Sequence, residues 1–146
     1  MIGDKLVQET VKIVNHLVSE HQEENDKLVK LLMLARLSEG ENTEQWNIYW
    51  KELCDNLKKW DPIHWEKLKI GLTEKVKNWI FFVTHSYIEM LILSLRNIGF
   101  SESEMAELYK KYPARRIAHS LECTLRDFGK RRFEERLRKI AKDDGY

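Results

Sequence analysis

The sequence predicts an all-α fold, a single-domain bundle of five to seven helices. Apolar residues recur at three- and four-residue intervals along nearly the whole chain, which is the period of an α-helix. Only two prolines and six glycines interrupt the 146 residues, and no stretch alternates with the period of two that indicates a strand. A chain of this length buries roughly 70% of its unfolded surface, which suffices for one core without disulfide bonds.

The first two helices are predicted on either side of a polar segment. Asp4 is the expected N-cap of the first helix, and valines at positions 7, 11, 14 and 18 form its apolar stripe. Residues 19–27 are polar and leave two alternatives: the first helix continues through them in solvent, or Asn25 or Asp26 caps a second helix. Gly40 is the expected end of this helical region.

A central hydrophobic helix is predicted over about residues 76–96. Asp61–Pro62 marks an earlier helix start, because proline at the first helical position loses no usable hydrogen bond, and Gly71 offers a break after it. From Trp79 to Leu95 apolar residues lie on all sides of the helix, which is typical of the innermost helix of a bundle.

A short helix is predicted after Gly99, which is expected to end the central helix in the left-handed conformation. Ser101 and Glu104 match the S-x-x-E capping box at the start of this short helix, and Pro113 ends it. Together with the helix that follows Pro113, it forms a helical hairpin of the helix-turn-helix type.

The C-terminal end of the chain carries an excess of positive charge. Residues 110–146 contain twelve Lys or Arg and six Asp or Glu, whereas the net charge of the whole chain is only +1. We therefore interpret residues 1–128 as the helical bundle and residues 129–146 as a basic helical extension, packed on the bundle or projecting from it.

This charge layout favours a non-catalytic binding or regulatory protein. Cations on a helix can neutralise the phosphates of DNA or RNA, or bind an acidic protein. The predicted contact residues are Arg115, Arg116, Lys130, Arg131, Arg132, Arg136, Arg138, Lys139 and Lys142. The alternative is an ordinary solvated helix, because Glu134 and Glu135 stand four residues ahead of Arg138 and Lys139.

The tryptophans support a second hypothesis, a protein–protein interaction module without a nucleic-acid role. Five tryptophans lie within 34 positions, and aromatic residues are preferred anchors at interfaces. Trp46, Trp50, Trp60 and Trp79 fit core stripes, so that Trp65, at a helix start, is the expected exposed anchor. A homo-oligomer is compatible with this hypothesis.

Enzymatic chemistry is the class that the sequence favours least. Arg115, Arg116 and His119 keep a helical RNA-cleaving enzyme as a third hypothesis. His85 and Glu89 have i, i+4 spacing and are interpreted as a self-satisfied core pair, with a proton-sharing or metal site as the alternative. Neither cysteine has an evident local base, and no glycine-rich phosphate loop is present.

We expect no metal, no cofactor and no membrane span. His16 and His21 lie five positions apart and so face different directions, unlike the i, i+4 histidines of helical metal sites. Polar residues interrupt the run from Trp79 to Leu95, and the N-terminus lacks the apolar region of a signal peptide. The two cysteines lack CxxC spacing, so we expect the cytoplasm, or the interior of a host cell if the chain is viral.

Overall fold

The computed structural model describes residues 2–39, 43–125 and 128–146. Within these residues the chain forms eight α-helices and no strand, so the predicted all-α bundle is confirmed. The helices are α1 (Ile2–Glu20), α2 (Gln22–Glu39), α3 (Thr43–Trp60), α4 (Trp65–Gly71), α5 (Glu74–Ile98), α6 (Glu102–Lys111), α7 (Ala114–Cys123) and α8 (Gly129–Asp143). This count exceeds the predicted five to seven because His21 separates α1 from α2 and residues 72–73 separate α4 from α5. The predicted helix end at Gly40 lies outside the described residues.

The polar segment 19–27 is helical on both sides of His21. The N–H of His21 still donates to a carbonyl of α1 at 3.1 Å, and its ring stacks on Trp60 with 4.4 Å between ring centroids. Asn25 and Asp26, the predicted caps, lie inside α2 instead of at its start. Neither alternative predicted for this segment is therefore correct as stated.

The start of α4 lies later than predicted from Asp61–Pro62. The carboxylate of Asp61 accepts a hydrogen bond from the N–H of His64 at 3.1 Å, so residues 62–64 form a turn and α4 begins only at Trp65. Gly71 ends α4, in agreement with the predicted break. A Cβ atom at Gly71 would collide with the hydroxyl of Thr10 in α1, so the close contact of these two helices requires glycine.

Helix α5 covers the predicted central helix and packs against α1, α2, α6 and α7. Its inward side chains are Val76, Ile80, Ile88, Leu91, Ile92, Ser94, Leu95 and Ile98. The expectation that α5 is enclosed on all sides is wrong, because Trp79, Phe82, Val83, Met90 and Leu93 are exposed. The neighbouring helices cover the inward side only, so the opposite apolar side faces solvent.

The connection from α5 to α6 follows the predicted local signals. Gly99 adopts a left-handed φ of 116°, and its N–H donates to two carbonyls of the last turn of α5 at 3.0 and 3.2 Å. Ser101 and Glu104 form the predicted capping box. Between Gly99 and Ser101, Phe100 is buried and packs edge to face on Phe133 of α8, with 5.5 Å between ring centroids.

Helix α8 packs on α7, and its inner face belongs to the main hydrophobic core. Phe133, Leu137 and Ala141 recur at four-residue intervals along this face and are almost fully buried. Residues 129–146 are therefore packed on the bundle, and the polar side chains of α8 face outward.

Candidate nucleic-acid interface

The outer side of α8 carries six exposed cations, which we call the basic face. They are Arg131, Arg132, Arg136, Arg138, Lys139 and Lys142. Because the apolar positions of α8 are buried at helical spacing, the remaining positions are held toward solvent along about 22 Å of helix. Glu135 is the one exposed carboxylate that lies between these cations in sequence.

Only part of the basic face is engaged within the protein. Arg131 lies 3.3 Å from Glu135, and the guanidinium of Arg132 lies 5.0 Å from the ring centroid of Phe128. Within residues 2–39, 43–125 and 128–146, no carboxylate lies within 4.0 Å of the charged nitrogens of the other four cations, which are Arg136, Arg138, Lys139 and Lys142. These four side chains are available for an external anion.

A cleft of about 320 Å³ lies between the end of α7 and the basic face. Arg132, Arg136 and Lys139 line it from α8, and Cys123 lines it from α7. The Nε2 atom of His119 lies 3.5 Å from the Sγ atom of Cys123. The expectation that neither cysteine has a local base is therefore wrong, and the i, i+4 spacing of His119 and Cys123 is the sequence signal that was missed.

Three predicted contact residues serve the fold of the protein itself. Arg115 lies 3.0 Å from Asp26 of α2, and Arg116 forms an ion pair with Asp144 after α8. Both arginine side chains are only about one quarter exposed. Lys130 pairs with Glu104. These residues do not join the basic face, because their side chains are only partly exposed and each is bound to a carboxylate of another helix or of the C-terminal segment.

A larger cavity, of about 380 Å³, lies between α1, α2, α3, α5 and α7. Its walls are mainly apolar, and its polar groups include Asn25, Asp26, Tyr87 and Arg115. Burial is the largest cause that raises the pKa of Asp26 to about 6, and Arg115 opposes it. Burial also raises the pKa of Tyr87 to about 12.

The tryptophans differ from the prediction in their exposure. Trp65, the expected exposed anchor, is half-buried and packs against the core, although its neighbour Ile63 is exposed. Trp79, which was expected in the core, is instead 40% exposed on the outer side of α5. Trp79 is exposed because it lies on the uncovered face of α5.

The polar pair predicted inside α5 is arranged differently from the expectation. Glu89 accepts a hydrogen bond from Arg36 of α2 at 2.9 Å, and the ring of His85 lies 6.0 Å from that of Trp46. Glu89 thus belongs to an ion pair between two helices. Among the residues that the structure describes, no group of three or more His, Cys, Asp or Glu is placed to hold a metal ion.

Helix α5 is long and apolar enough to meet the length and composition criteria for a membrane span, which core helices of soluble proteins also meet. One third of its most apolar window is buried in the protein. Comparison of the chain with family models, with curated proteins and with solved structures gives no match.

Proposed function

We propose that the protein is a non-catalytic nucleic-acid-binding protein that contacts phosphates through the basic face of α8. The observation that carries this proposal is the group of four cations on one helix that have no carboxylate partner among the described residues. Neutralisation of phosphates by Lys and Arg releases counterions. This release supplies most of the affinity for nucleic acid when a protein binds without recognising the base sequence.

The packing of α8 supports the proposal. Phe133 and Leu137 anchor the helix in the core, so its cations need not be ordered by a folding step when an anion binds. The exposed aromatic ring of Phe128 lies beside Arg132. An aromatic ring next to cations is the combination that binds unpaired bases by stacking.

Salt dependence of binding tests this function. With about four phosphate contacts, the logarithm of the binding constant for a nonspecific duplex should fall with the logarithm of salt concentration at a slope of roughly −3 to −4. The triple variant Arg136→Gln, Arg138→Gln and Lys139→Gln should flatten this slope by about three units, measured by fluorescence anisotropy.

A charge-matched variant controls for net charge. Three lysines are exposed on α3 and α4, namely Lys58, Lys59 and Lys67. Their replacement by glutamine removes the same number of positive charges, but at positions outside α8. This control should keep the steep slope. Equal effects of both triple variants, or no duplex binding at low salt, would overturn the proposal.

Association with another protein surface is a second function, favoured by one observation. The outer face of α5 exposes five large apolar side chains, a larger apolar group than scattered surface residues account for.

A further inference from the structure

The cavity of about 380 Å³ between α1, α2, α3, α5 and α7 has the size of a small-molecule site. Its apolar walls are formed by Val14, Val18, Val29, Leu53 and Ile80. The cavity opens to solvent between α1, the start of α2 and α5, where its lining residues are exposed. These residues are Asn15, Ser19, Gln22, Trp79 and Val83. A small molecule with an apolar body therefore has a way in and apolar walls to cover.

Polar groups meet in one part of this cavity. Burial and, second to it, the charge of Asp26 raise the pKa of Tyr87 to about 12, so these two side chains lie close together. Arg115 Nε lies 3.0 Å from Asp26 Oδ2, and Asn25 precedes Asp26 in the cavity wall. A few polar groups against apolar walls fix the orientation of a bound molecule.

Two acceptor atoms in this part of the cavity lack a donor. Oδ1 of Asn25 and Oδ2 of Asp26 are buried, and neither accepts a hydrogen bond from the residues that the structure describes. Arg115 Nε, although close to Asp26, is not aligned to donate to it. Buried acceptors without a donor are costly, so a ligand that brings N–H or O–H donors would be stabilised here.

The charges around Asp26 favour a donor that is positively charged. The guanidinium of Arg115 lies near two carboxylates, since Glu23 is 3.7 Å from it in addition to Asp26. Arg116, the other cation that acts on Asp26, is paired with Asp144. With their carboxyl groups ionised, these side chains carry three negative and two positive charges. The excess is therefore negative.

We propose that this cavity binds a small amine, a molecule with a compact apolar body and one protonated amino group that donates to Asn25 and Asp26. An inorganic cation would neutralise Asp26 but leave the apolar walls uncovered. A carboxylate ligand would face the carboxyl group of Asp26 and bring no donor. No described residue of α8 lines the cavity, so the proposal is independent of the nucleic-acid function.

Three probes with the same phenyl-terminated chain separate the effect of the head group. Phenylbutylamine should bind the full chain at about pH 8 with a dissociation constant on the order of 100 μM, measured by titration calorimetry. Phenylbutanol should bind roughly tenfold more weakly, because a hydrogen bond from a charged donor is stronger. Phenylbutyrate should not bind detectably. Equal affinity of the amine and either other probe, or no binding of the amine at millimolar concentration, would overturn the proposal.

Replacement of Asp26 tests the contact with the amino group. Asp26→Asn should weaken phenylbutylamine roughly tenfold or more but leave phenylbutanol within about twofold, because asparagine keeps an acceptor and removes the charge. Glu24→Gln is the matched control, since Glu24 is an exposed carboxylate of the same helix outside the cavity. This control should keep the affinity for the amine within about twofold. Equal weakening by both substitutions would contradict a contact at Asp26.

The pH dependence of binding gives a readout on the unchanged protein. The charged groups that act on Asp26 are Glu23 on α2 and Arg115 and Arg116 on α7, whereas Tyr87 on α5 stays neutral. Because the pKa of Asp26 is about 6, the affinity for phenylbutylamine should fall about tenfold between about pH 8 and about pH 5. Phenylbutanol should show no such fall. A dependence that persists in Asp26→Asn would belong to another group and would contradict the proposal.

Filling the cavity tests the contact with the apolar body. Val18 on α1 is half-buried and lines the cavity, so Val18→Phe should weaken the amine and the alcohol alike, by roughly tenfold or more. Val11→Phe adds the same atoms at a half-buried residue of α1 outside the cavity and should leave both affinities unchanged. Circular dichroism checks that both variants are folded. Undiminished binding to folded Val18→Phe would place the amine elsewhere and overturn the proposed site.

Discussion

At Asp26, burial and an ion pair act on one carboxyl group in opposite directions. Its side chain is 14% exposed, and Arg115 Nε lies 3.0 Å from its Oδ2 atom. The contact lacks a well-aligned hydrogen bond between these two atoms. Burial therefore outweighs the attraction of Arg115, and the pKa of Asp26 is raised from 3.8 to about 6.

Asp26→Asn should change the pH dependence of stability in a defined direction. Because the pKa is raised by folding, the stabilising contribution of Asp26 is fully present below pH 3.8 and is lost as the pH rises through about 6. The stability of Asp26→Asn relative to the wild type should thus increase over this window by up to about 3 kcal/mol, at about 1.4 kcal/mol per pKa unit. Urea unfolding of both proteins at several pH values measures it. A difference that stays constant with pH would contradict the raised pKa.

Contacts between distant residues limited the prediction of site residues. Arg115 and Arg116 count as cations in the sequence, but Asp26 and Asp144, which neutralise them, are close only in the folded chain. The cations of α8 were easier to place, because Phe133 and Leu137 fix which side of that helix is buried. The contact between His119 and Cys123 could have been predicted from the sequence, since both lie on α7 at i, i+4 spacing.

At the scale of the helices, the local signals between α5 and α6 were reliable, whereas those at Asn25, Asp26 and Pro62 were not. The capping box at Ser101 and the left-handed Gly99 were predicted because caps depend on a few neighbouring residues. The start at Pro62 was wrong because the carboxylate of Asp61 stabilises a turn there. Apolar residues around the whole of α5 predicted complete burial, yet a sequence cannot distinguish an apolar face that the same chain covers from one that faces solvent.

Substitutions at two leucines of α5 distinguish its buried face from its exposed face. Leu91 is buried, so Leu91→Ala should lower the free energy of unfolding by roughly 2–5 kcal/mol through lost burial and a cavity. Leu93→Ala, two positions along on the exposed side, should change it by less than about 0.5 kcal/mol. Chemical denaturation of the two variants and of the wild type gives both values. Equal effects of the two substitutions would contradict the orientation of α5.

For the whole molecule, the central question is whether α8 is part of one cooperative unit. The sequence allowed an extension that projects from the bundle, because charge dominates the composition of residues 129–146. In the structure, Phe133 is fully buried and packs on Phe100 between α5 and α6. The basic face is therefore supported by the same core that holds α5, and binding at α8 should depend on the stability of the bundle.

Phe133→Ala tests whether α8 unfolds together with the rest of the bundle. The tryptophans, whose fluorescence follows unfolding, lie far from α8 in sequence. All five tryptophans lie between residues 46 and 79, so their fluorescence reports unfolding of α3 to α5. Loss of a buried phenylalanine costs about 3–5 kcal/mol. With a urea m-value of about 1–3 kcal/mol per M, the midpoint seen by tryptophan fluorescence should fall by about 1–5 M.

Phe128→Ala removes an exposed ring near the start of α8 and should leave that midpoint nearly unchanged. Circular dichroism at 222 nm, which includes α8, should follow the same single transition as the fluorescence in every variant. A tryptophan midpoint that does not respond to Phe133→Ala would mean that α8 unfolds separately. The basic face would then belong to an independent extension, because its loss would leave the rest of the bundle intact.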